Sequence, residues 1–341
     1  MAHFTSPRAL LTRREALRRG SLMFGSAFLG ASFLPKLIAQ TAPSAANAPS
    51  VDTPDHPIAQ MRRSLGEAPL ETIRLTDRHF ALTGNGGNIG VYVGDEAMLL
   101  VDSGSGRPPA TEKLRSALRA LSDRPVRYLV NTHWHFDHTD GNVNVHGLGA
   151  SIVGHRNVRT RLGSPQINAF FNAAFPAAGI DALPTVTFDQ ALDLYVGTEA
   201  VLLQHVPPAH TDSDSIVHWP KSNVIHTGDL LFAGTFPFID GSSGGSLEGM
   251  IAAEEKIFSL ADTSTHIIPG HGPVAGKDDV KASVDMLRTV KERLDRLKSA
   301  GKSVDEAVAA KPLADLDAKW GGGMFNADSF VRIVYSLPKH T

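Results

Sequence analysis

The sequence contains no cysteine. Disulfide bridges are therefore excluded, and any metal site in this chain has to use histidine, aspartate or glutamate as ligands. Charged residues make up only 20% of the chain and hydrophobic residues 42%, which is ordinary for a globular protein. This composition excludes a disordered or fibrous chain.

Apolar runs long enough to cross a membrane are also missing. The apolar stretch near the N-terminus, from about Ser21 to Leu34, is shorter than the roughly 20 residues that a spanning helix needs. It follows the pair Arg13-Arg14, an order typical of a twin-arginine export signal. We therefore predict a signal peptide over residues 1–40 and a flexible leader over residues 41–60. The protein is expected to be periplasmic or otherwise exported, without a stable membrane anchor after cleavage.

Basic runs are absent from the rest of the chain. The whole sequence has a formal net charge of −2, and the first 40 residues carry six Lys or Arg against one Glu, so the remaining residues have a net charge near −7. A mildly acidic domain of this kind argues against a nucleic-acid partner. We expect a small-molecule substrate instead, and the sequence does not indicate an oligomeric state.

Short apolar runs between glycine turns predict strands, and apolar residues at helical spacing predict helices. The predicted strands are 71–75, 80–83, 89–93, 98–101, 126–130, 200–205, 223–226 and 265–268. The predicted helices are 109–121, 247–260 and 278–299, and Ser303 with Glu306 forms a capping box for a further short helix. One catalytic domain over residues 61–341, with helices at its C-terminal end, accounts for this order.

A run of metal-binding side chains, His133-Trp134-His135-Phe136-Asp137-His138, follows the predicted strand 126–130. Zinc in proteins binds neutral imidazole and carboxylate groups, and a catalytic zinc uses about three of them plus water. Because the run has to turn at the strand end, we expect His133 and His135 to serve one ion and Asp137 and His138 another. Each ion then needs ligands from elsewhere in the chain.

Three later residues are the best candidates for those ligands. His210, Asp229 and His271 each follow a predicted strand, at Gly- or Pro-containing turns. The other histidines considered are interpreted as hydrogen-bonded structural residues: His146, His155, His205, His218, His226 and His266. Of these, His226 is the candidate for supporting a metal ligand, since it lies three residues before Asp229.

Taken in order, these motifs resemble the metallo-β-lactamase superfamily over about residues 70–275. Asp102, in Val101-Asp102-Ser103-Gly104, resembles the first acidic motif of that superfamily. The resemblance implies an α/β (α+β) fold, an αββα sandwich with the metals at one edge of two sheets. It also implies a ligand set, in which the first ion takes His133, His135 and His210, the second takes Asp137, His138 and His271, and Asp229 bridges both.

The same resemblance implies a dinuclear zinc hydrolase in which a metal-bound hydroxide cleaves an ester, thioester, lactone or amide bond. Two Zn²⁺ are the expected cofactors, with iron or manganese as alternatives. Asp137 is the expected catalytic residue, because it would bind metal and also orient the hydroxide. A β-lactamase is one alternative function, and an iron-dependent redox enzyme or a non-catalytic metal-binding protein of the same fold are the others.

Departures from the β-lactamase pattern favour the glyoxalase-type branch. Many zinc β-lactamases have a cysteine where Asp229 stands and a lysine shortly after it, whereas Leu230-Leu231-Phe232 follows here. The basic glutathione-binding cluster of glyoxalase II is not evident near the C-terminus, so we do not assign that thioester. Aromatic residues are candidate pocket walls that favour an apolar acyl or aryl group, with core packing as the alternative: Trp134, Phe136, Phe170, Phe171, Phe175 and the loop 236–240.

Overall fold

The computed structural model describes residues 48–338. The first part of this chain contains α1 (Pro57–Glu67), β1 (Glu71–Arg74), β2 (His79–Thr83), β3 (Ile89–Val93), β4 (Met98–Val101), α2 (Pro108–Leu121), β5 (Val126–Asn131), α3 (Phe136–Thr139), α4 (Asn142–His146), β6 (Ser151–His155), α5 (Arg156–Leu162), β7 (Gln166–Asn168), β8 (Ala173–Phe175) and β9 (Val186–Phe188). The second part contains β10 (Ala191–Val196), β11 (Glu199–His205), β12 (Ser215–Trp219), β13 (Val224–Phe232), α6 (Leu247–Leu260), β14 (His266–His271), α7 (Lys277–Ser299), α8 (Val304–Ala309), α9 (Ala314–Trp320) and α10 (Ala327–Ser336).

The strands form two main sheets. The first has the order β1-β2-β3-β4-β5-β6-β9, and the second has the order β10-β11-β12-β13-β14. In the first sheet, β1 to β4 form an antiparallel meander, and β4, β5, β6 and β9 run parallel. In the second, only β13 and β14 are parallel. Each sheet therefore has parallel strands whose carboxyl ends meet at one edge.

Alternating side chains of the strands separate the core into layers. In β4, Leu99 and Val101 pack between the two sheets, whereas Leu100 faces outward against Leu114 and Leu118 of α2. This is the two-residue period of a strand, and burial on both faces explains why β4 is an unbroken apolar run. The first sheet is thus covered by a helix on its outer face.

The outer face of the second sheet is covered by the C-terminal helices. Val280, Val284, Leu287, Val290 and Leu294 of α7 are buried at helical spacing. They belong to one core cluster with residues of β13, β14, α6 and α10. The layers therefore stack as helix, sheet, sheet and helix, which confirms the predicted αββα sandwich.

The described part of the predicted leader is structured. Residues 1–47, which include the predicted signal peptide, lie outside the described residues, but Val51 is fully buried against Ile58 and Ala173. Helix α1 begins at Pro57, and Arg62 pairs with Asp140 at 2.8 Å, two residues after His138. Residues 51–60 therefore contact the domain, and the domain boundaries predicted at residues 40 and 60 stay a prediction.

Two strands are longer than predicted. The strand predicted over 223–226 extends as β13 to Phe232, and the one predicted over 265–268 extends as β14 to His271. Asp229 and His271 consequently lie within the ends of strands and not in turns after them. The pairing of β13 with β14 is irregular around these residues, with register shifts after His226 and after Gly228.

Within residues 48–338, no helix combines the length and the apolar composition needed to cross a bilayer.

Candidate metal centre

The predicted metal motif lies at the carboxyl end of β5. His133 follows that strand by two residues, and His135 occupies the N-cap position of the single-turn helix α3, which contains Asp137 and His138. Successive residues of a helix point about 100° apart, so this turn directs neighbouring side chains to different places. The local fold therefore places His133 and His135 in one cluster and Asp137 and His138 in another.

The first cluster consists of His133, His135, His210 and Asp229, whose candidate ligand atoms all lie within 4.8 Å of one another. His210 Nε2 lies 2.8 Å from His135 Nδ1. Asp229 Oδ2 lies 3.3 Å from His210 Nε2 and 3.8 Å from His133 Nε2. His135 thus presents its Nδ1 atom to the cluster, whereas His133 and His210 present Nε2.

The second cluster consists of Asp137, His138 and His271. Asp137 Oδ2 lies 3.2 Å from His271 Nε2 and 3.8 Å from His138 Nε2. The other oxygen of Asp229, Oδ1, lies 3.0 Å from His138 Nε2 and 3.5 Å from His271 Nε2. The Asp229 carboxylate therefore lies between the clusters and directs one oxygen to each.

The buried atoms of these clusters suit a cation. His133 Nε2, His138 Nε2 and Asp229 Oδ1 are buried and make no well-formed hydrogen bond with a described residue, although His138 Nε2 and Asp229 Oδ1 lie 3.0 Å apart. Buried polar atoms without hydrogen bonds are rare and costly, and bound cations would satisfy all three. The donor set of imidazole nitrogen and carboxylate oxygen, without sulfur, fits zinc, and it also suits iron or manganese.

Outer hydrogen bonds hold the histidine rings in position. His133 Nδ1 lies 3.0 Å from Thr132 Oγ1, and His210 Nδ1 lies 2.9 Å from the Phe238 carbonyl oxygen. His138 Nδ1 lies 2.8 Å from Asp102, which also accepts the Thr132 backbone N–H at 2.8 Å. Such partners select the tautomer and fix the ring plane of a metal-binding histidine.

Two buried carboxylates, Asp102 and Asp240, contact histidines of the clusters. Asp102 has a positive φ of 62°, an unfavourable conformation for a residue other than glycine. The hydrogen bonds to His138 and Thr132 stabilise it there. His135 Nε2 lies 3.0 Å from Asp240 Oδ2, a buried carboxylate contributed by a distant loop.

Glycine allows two close approaches at the centre. A Cβ atom at Gly270 would lie 2.0 Å from Asp229 Oδ1, and one at Gly87 would lie 2.1 Å from His138 Cε1. Any larger residue at either position would displace a member of the clusters. Asn88, next to Gly87, donates from its backbone N–H to the Gly270 carbonyl oxygen at 2.8 Å, which ties the two sheets together beside the centre.

The two clusters have different electrostatics. Burial lowers the pKa of His133 well below its ordinary value and lowers that of His210 to about 4. Burial also acts on His138 and His271, but nearby carboxylates outweigh it: they hold the pKa of His138 well above its ordinary value and raise that of His271 to about 9.

The pKa of the Asp229 carboxylate is shifted downward. Burial alone would raise the pKa of Asp229, but the surrounding histidines hold it well below its ordinary value. Asp229 is therefore an ionised carboxylate shared by both clusters, which is the state required of a ligand.

The remaining predicted histidines lie elsewhere. His155 and His205 stack on each other with ring centroids 3.7 Å apart, and His146 bonds the Ala150 carbonyl. Among the described residues, none of the six predicted structural histidines belongs to either cluster. His226 has the supporting position expected for it, because its Nδ1 accepts the Gly228 backbone N–H at 3.1 Å, directly before Asp229.

The predicted aromatic walls divide into three groups. Phe236 is 1% exposed and stacks on Phe330, so it belongs to the core. Phe136 and Phe175 stack on each other and, with Trp134 and Arg62, line a separate cavity of about 190 Å³ that no cluster residue lines. Phe238 lies beside the His135 ring, as Trp134 also does, and Phe170 and Phe171 pack on Phe238. Phe232, which was not predicted as a wall, stacks on His271.

The supporting roles of Asp240 and Thr132 were not predicted from the sequence. Asp240 is 105 residues away from His135, so no local spacing connects the two. Thr132 directly precedes His133, so its hydroxyl could have been predicted to bond that imidazole.

Comparison with known proteins agrees with this geometry. Residues 82–271, more than half of the chain, match the family model of the metallo-beta-lactamase superfamily. A metallo-beta-lactamase from Pontibacter korlensis is similar with a TM-score of 0.53 and 19% identity, over 64% of this chain and 99% of that one. A stereoselective inverting sec-alkylsulfatase from Pseudomonas sp. is similar with a TM-score of 0.63 and 16% identity, over 95% of this chain and 61% of that one.

DIM-1 metallo-beta-lactamase is similar with a TM-score of 0.53 and 18% identity, over 66% of this chain and 100% of that one. At these identities the structures establish the common fold, while the family model covers residues 82–271, which contain all seven candidate ligands. The chain belongs to the metallo-beta-lactamase superfamily, whose members are mostly hydrolases.

Proposed function

We propose that this protein is a dinuclear metallohydrolase that cleaves an ester, thioester, lactone or amide bond, with two Zn²⁺ as cofactors. One observation carries the proposal: the Asp229 carboxylate directs Oδ2 to the first cluster and Oδ1 to the second. A carboxylate that faces two groups of imidazoles in this way fits two neighbouring cations better than one. Iron or manganese are the alternative metals.

Each cluster would hold one ion. The first ion would be bound by His133, His135 and His210, the second by Asp137, His138 and His271, and Asp229 would contact both. Two zinc ions in such a site would lower the pKa of bound water towards about 7 and polarise the carbonyl oxygen of the substrate.

Asp137 is the residue proposed to act directly on the reacting water. Its side chain is 16% exposed, more than that of Asp229, and its Oδ2 lies at the second cluster. From there the carboxylate can accept a hydrogen bond from the attacking water and hold it in line with the substrate. Substrate would approach along the exposed edge formed by His135, Asp137 and His271.

Aromatic side chains favour an apolar group on the substrate. Phe232 stacks on His271 with ring centroids 5.0 Å apart, and Phe238 lies 6.1 Å from the His135 ring. Phe170 and Phe171 pack on Phe238 and are partly exposed. Apolar walls around a few polar groups are typical of small-molecule sites, so we propose an apolar acyl or aryl substituent.

β-Lactamase activity is a less favoured proposal. The Phe232 ring lies at the edge of the second cluster, beside His271. An apolar ring there cannot form an ion pair with the carboxylate of a β-lactam. Redox chemistry with iron and metal binding without catalysis are two further alternatives.

The test is a substrate screen of the purified protein after loading with zinc. Apolar aryl esters, thioesters, lactones and amides are compared with nitrocefin, a secondary alkyl sulfate and a phosphodiester. We expect turnover of at least one acyl substrate that a chelator abolishes, zinc restores and His135→Ala removes. Dominant nitrocefin turnover would favour the β-lactamase, oxygen consumption with bound iron the redox enzyme, and uniform inactivity with two bound ions the non-catalytic protein.

We also propose export through the twin-arginine pathway to the periplasm, which rests on Arg13-Arg14 and the apolar stretch after them. Fusion of residues 1–48 to a reporter that matures only when folded before export tests it. Export should be lost in the Arg13→Lys, Arg14→Lys double variant. Equal export of the variant would contradict the proposal.

A further inference from the structure

The loop between β13 and α6 contains a carboxylate with no role in the ligand set, Asp240. Its side chain is 1% exposed, and Oδ2 lies 3.0 Å from His135 Nε2. His135 Nδ1 in turn lies 2.8 Å from His210 Nε2. The imidazole of His135 is therefore held between Asp240 on its outer side and the first cluster on its inner side.

The arrangement fixes which nitrogen of His135 can bind metal. An ionised carboxylate accepts hydrogen bonds only, so contact with Asp240 requires the proton of a neutral His135 to be on Nε2. Nδ1 then carries the lone pair. His133 and His210 have the reverse arrangement, because their Nδ1 atoms face Thr132 and the Phe238 carbonyl.

The position of Asp240 is itself fixed by several contacts. Its carboxylate accepts the Ser243 hydroxyl at 2.6 Å and the Ser242 backbone N–H at 3.0 Å. Its backbone N–H donates to the His210 carbonyl oxygen at 2.9 Å. Ser243 Oγ also accepts the Trp134 indole N–H at 3.1 Å. One residue thus links two members of the first cluster to a buried network.

We propose that Asp240 is a positioning residue of the metal centre, which selects the Nε2-protonated tautomer of His135 and so makes Nδ1 the atom that binds the first ion. The inference rests on the proposed function for the presence of that ion. Partners of this kind typically contribute about 10- to 100-fold to metal affinity.

The test compares the zinc affinities of Asp240→Asn and Ser242→Ala by competition with a chromophoric chelator. Ser242→Ala is the matched control, because it removes a hydroxyl of the same loop that bonds Ala169 and leaves the contacts of Asp240 with His135 and with the Ser242 backbone N–H. We expect Asp240→Asn to weaken one of the two ions by about 10- to 100-fold, and Ser242→Ala by less than about threefold. Equal losses in the two variants, or none in Asp240→Asn, would overturn the proposal.

A double variant separates positioning from a general structural role. If Asp240 acts through His135, then Asp240→Asn adds no loss of affinity when His135 is already alanine. A full additional loss would contradict the proposal. The melting temperature of each metal-free variant reports on folding alone.

A measurement on the unaltered protein covers the case in which Asp240→Asn does not fold. Long-range ¹⁵N–¹H NMR of the zinc-loaded protein should show His135 protonated on Nε2 and His133 and His210 protonated on Nδ1. A proton on His135 Nδ1 would overturn the inference. Absence of zinc binding by the unaltered protein would instead contradict the proposed function.

Discussion

The two clusters of the metal centre share Asp229 but differ in their surroundings. In the first cluster, the side chains of His133 and His210 are 1% and 0% exposed. In the second, His271 is 30% exposed and Asp137 16%. The first cluster is therefore the more enclosed part of the centre, where only His135 reaches 12% exposure, and the second is more open to solvent through His271 and Asp137.

The clusters also differ in charge. The enclosed histidines His133 and His210 have lowered pKa values, whereas His138 and His271 have raised ones because carboxylates surround them. A cation entering the second cluster has to displace protons, and a cation entering the first displaces few. We expect the first ion to bind more tightly at neutral pH.

Removing the shared ligand should have the largest effect. Asp229→Ala is expected to reduce bound metal below one ion per chain and turnover by about 10³-fold or more, because it removes a ligand from both ions and the negative charge between them. Metal analysis and kcat/KM measure the two effects. Asp214→Asn is the control, since Asp214 is a buried carboxylate that binds Thr211 and belongs to neither cluster. If Asp229→Ala retained both ions, a bridging role would be wrong.

Single ligand changes should separate the clusters. His271→Ala is expected to retain about one ion per chain, whereas His210→Ala should lose the tighter ion, with roughly 10²-fold lower turnover in both variants. The reason is that the enclosed cluster keeps its other ligands fixed by hydrogen bonds. Metal content after dialysis against a weak chelator distinguishes the variants. Loss of both ions from His271→Ala would show that the clusters do not differ as described.

The stability of the metal-free protein should depend on pH in opposite ways at the two clusters. The pKa of His210 is lowered to about 4, so the stability associated with its neutral form is complete above about pH 6.5 and is lost as the pH falls towards 4. The pKa of His271 is raised to about 9, so the stability associated with its charged form is complete below about pH 6.5 and is lost as the pH rises through 9.

Urea unfolding from pH 4 to pH 9.5 measures both trends. His210→Gln should reduce the loss of unfolding free energy at acid pH by about 1–2 kcal/mol. His271→Gln should reduce the loss at alkaline pH by a similar amount. The zinc-loaded protein provides the comparison, because bound metal replaces the protons. An alkaline loss of stability that persists in His271→Gln would contradict the assignment.

The smallest effect is expected from Phe232, which stacks on the exposed His271. Phe232→Leu keeps an apolar side chain but removes the ring, and aromatic contacts of this kind contribute about 0.5–1.5 kcal/mol. We expect a two- to tenfold rise in KM for aryl esters with unchanged metal content. A matching loss of the second ion would instead assign Phe232 to support of His271.

The clustering of the candidate ligands could be predicted because these residues follow strands. Residues 133–138 begin just after β5, and His210, Asp229 and His271 each lie at or beyond a strand of the second sheet, so one edge of the sandwich brings them together. The strands β1 to β5 and the helices α2, α6 and α7 have nearly the predicted bounds, since each has a clear apolar period.

Other features could not be predicted, because no local sequence pattern marks them. Asp240 reaches His135 only through the folding of a loop, and the extension of β13 and β14 through Gly and Pro residues depends on pairing between the two strands. The packing of residues 51–60 on the domain likewise depends on contacts with distant residues such as Ala173 and Asp140.

The most direct test is anomalous diffraction at the zinc absorption edge from crystals of the zinc-loaded protein. The account predicts two peaks about 3.5–4 Å apart, the usual separation in two-metal sites. One should lie among His133, His135 and His210 and the other among Asp137, His138 and His271, with Asp229 between them. A single peak, or none within reach of Asp229, would contradict it.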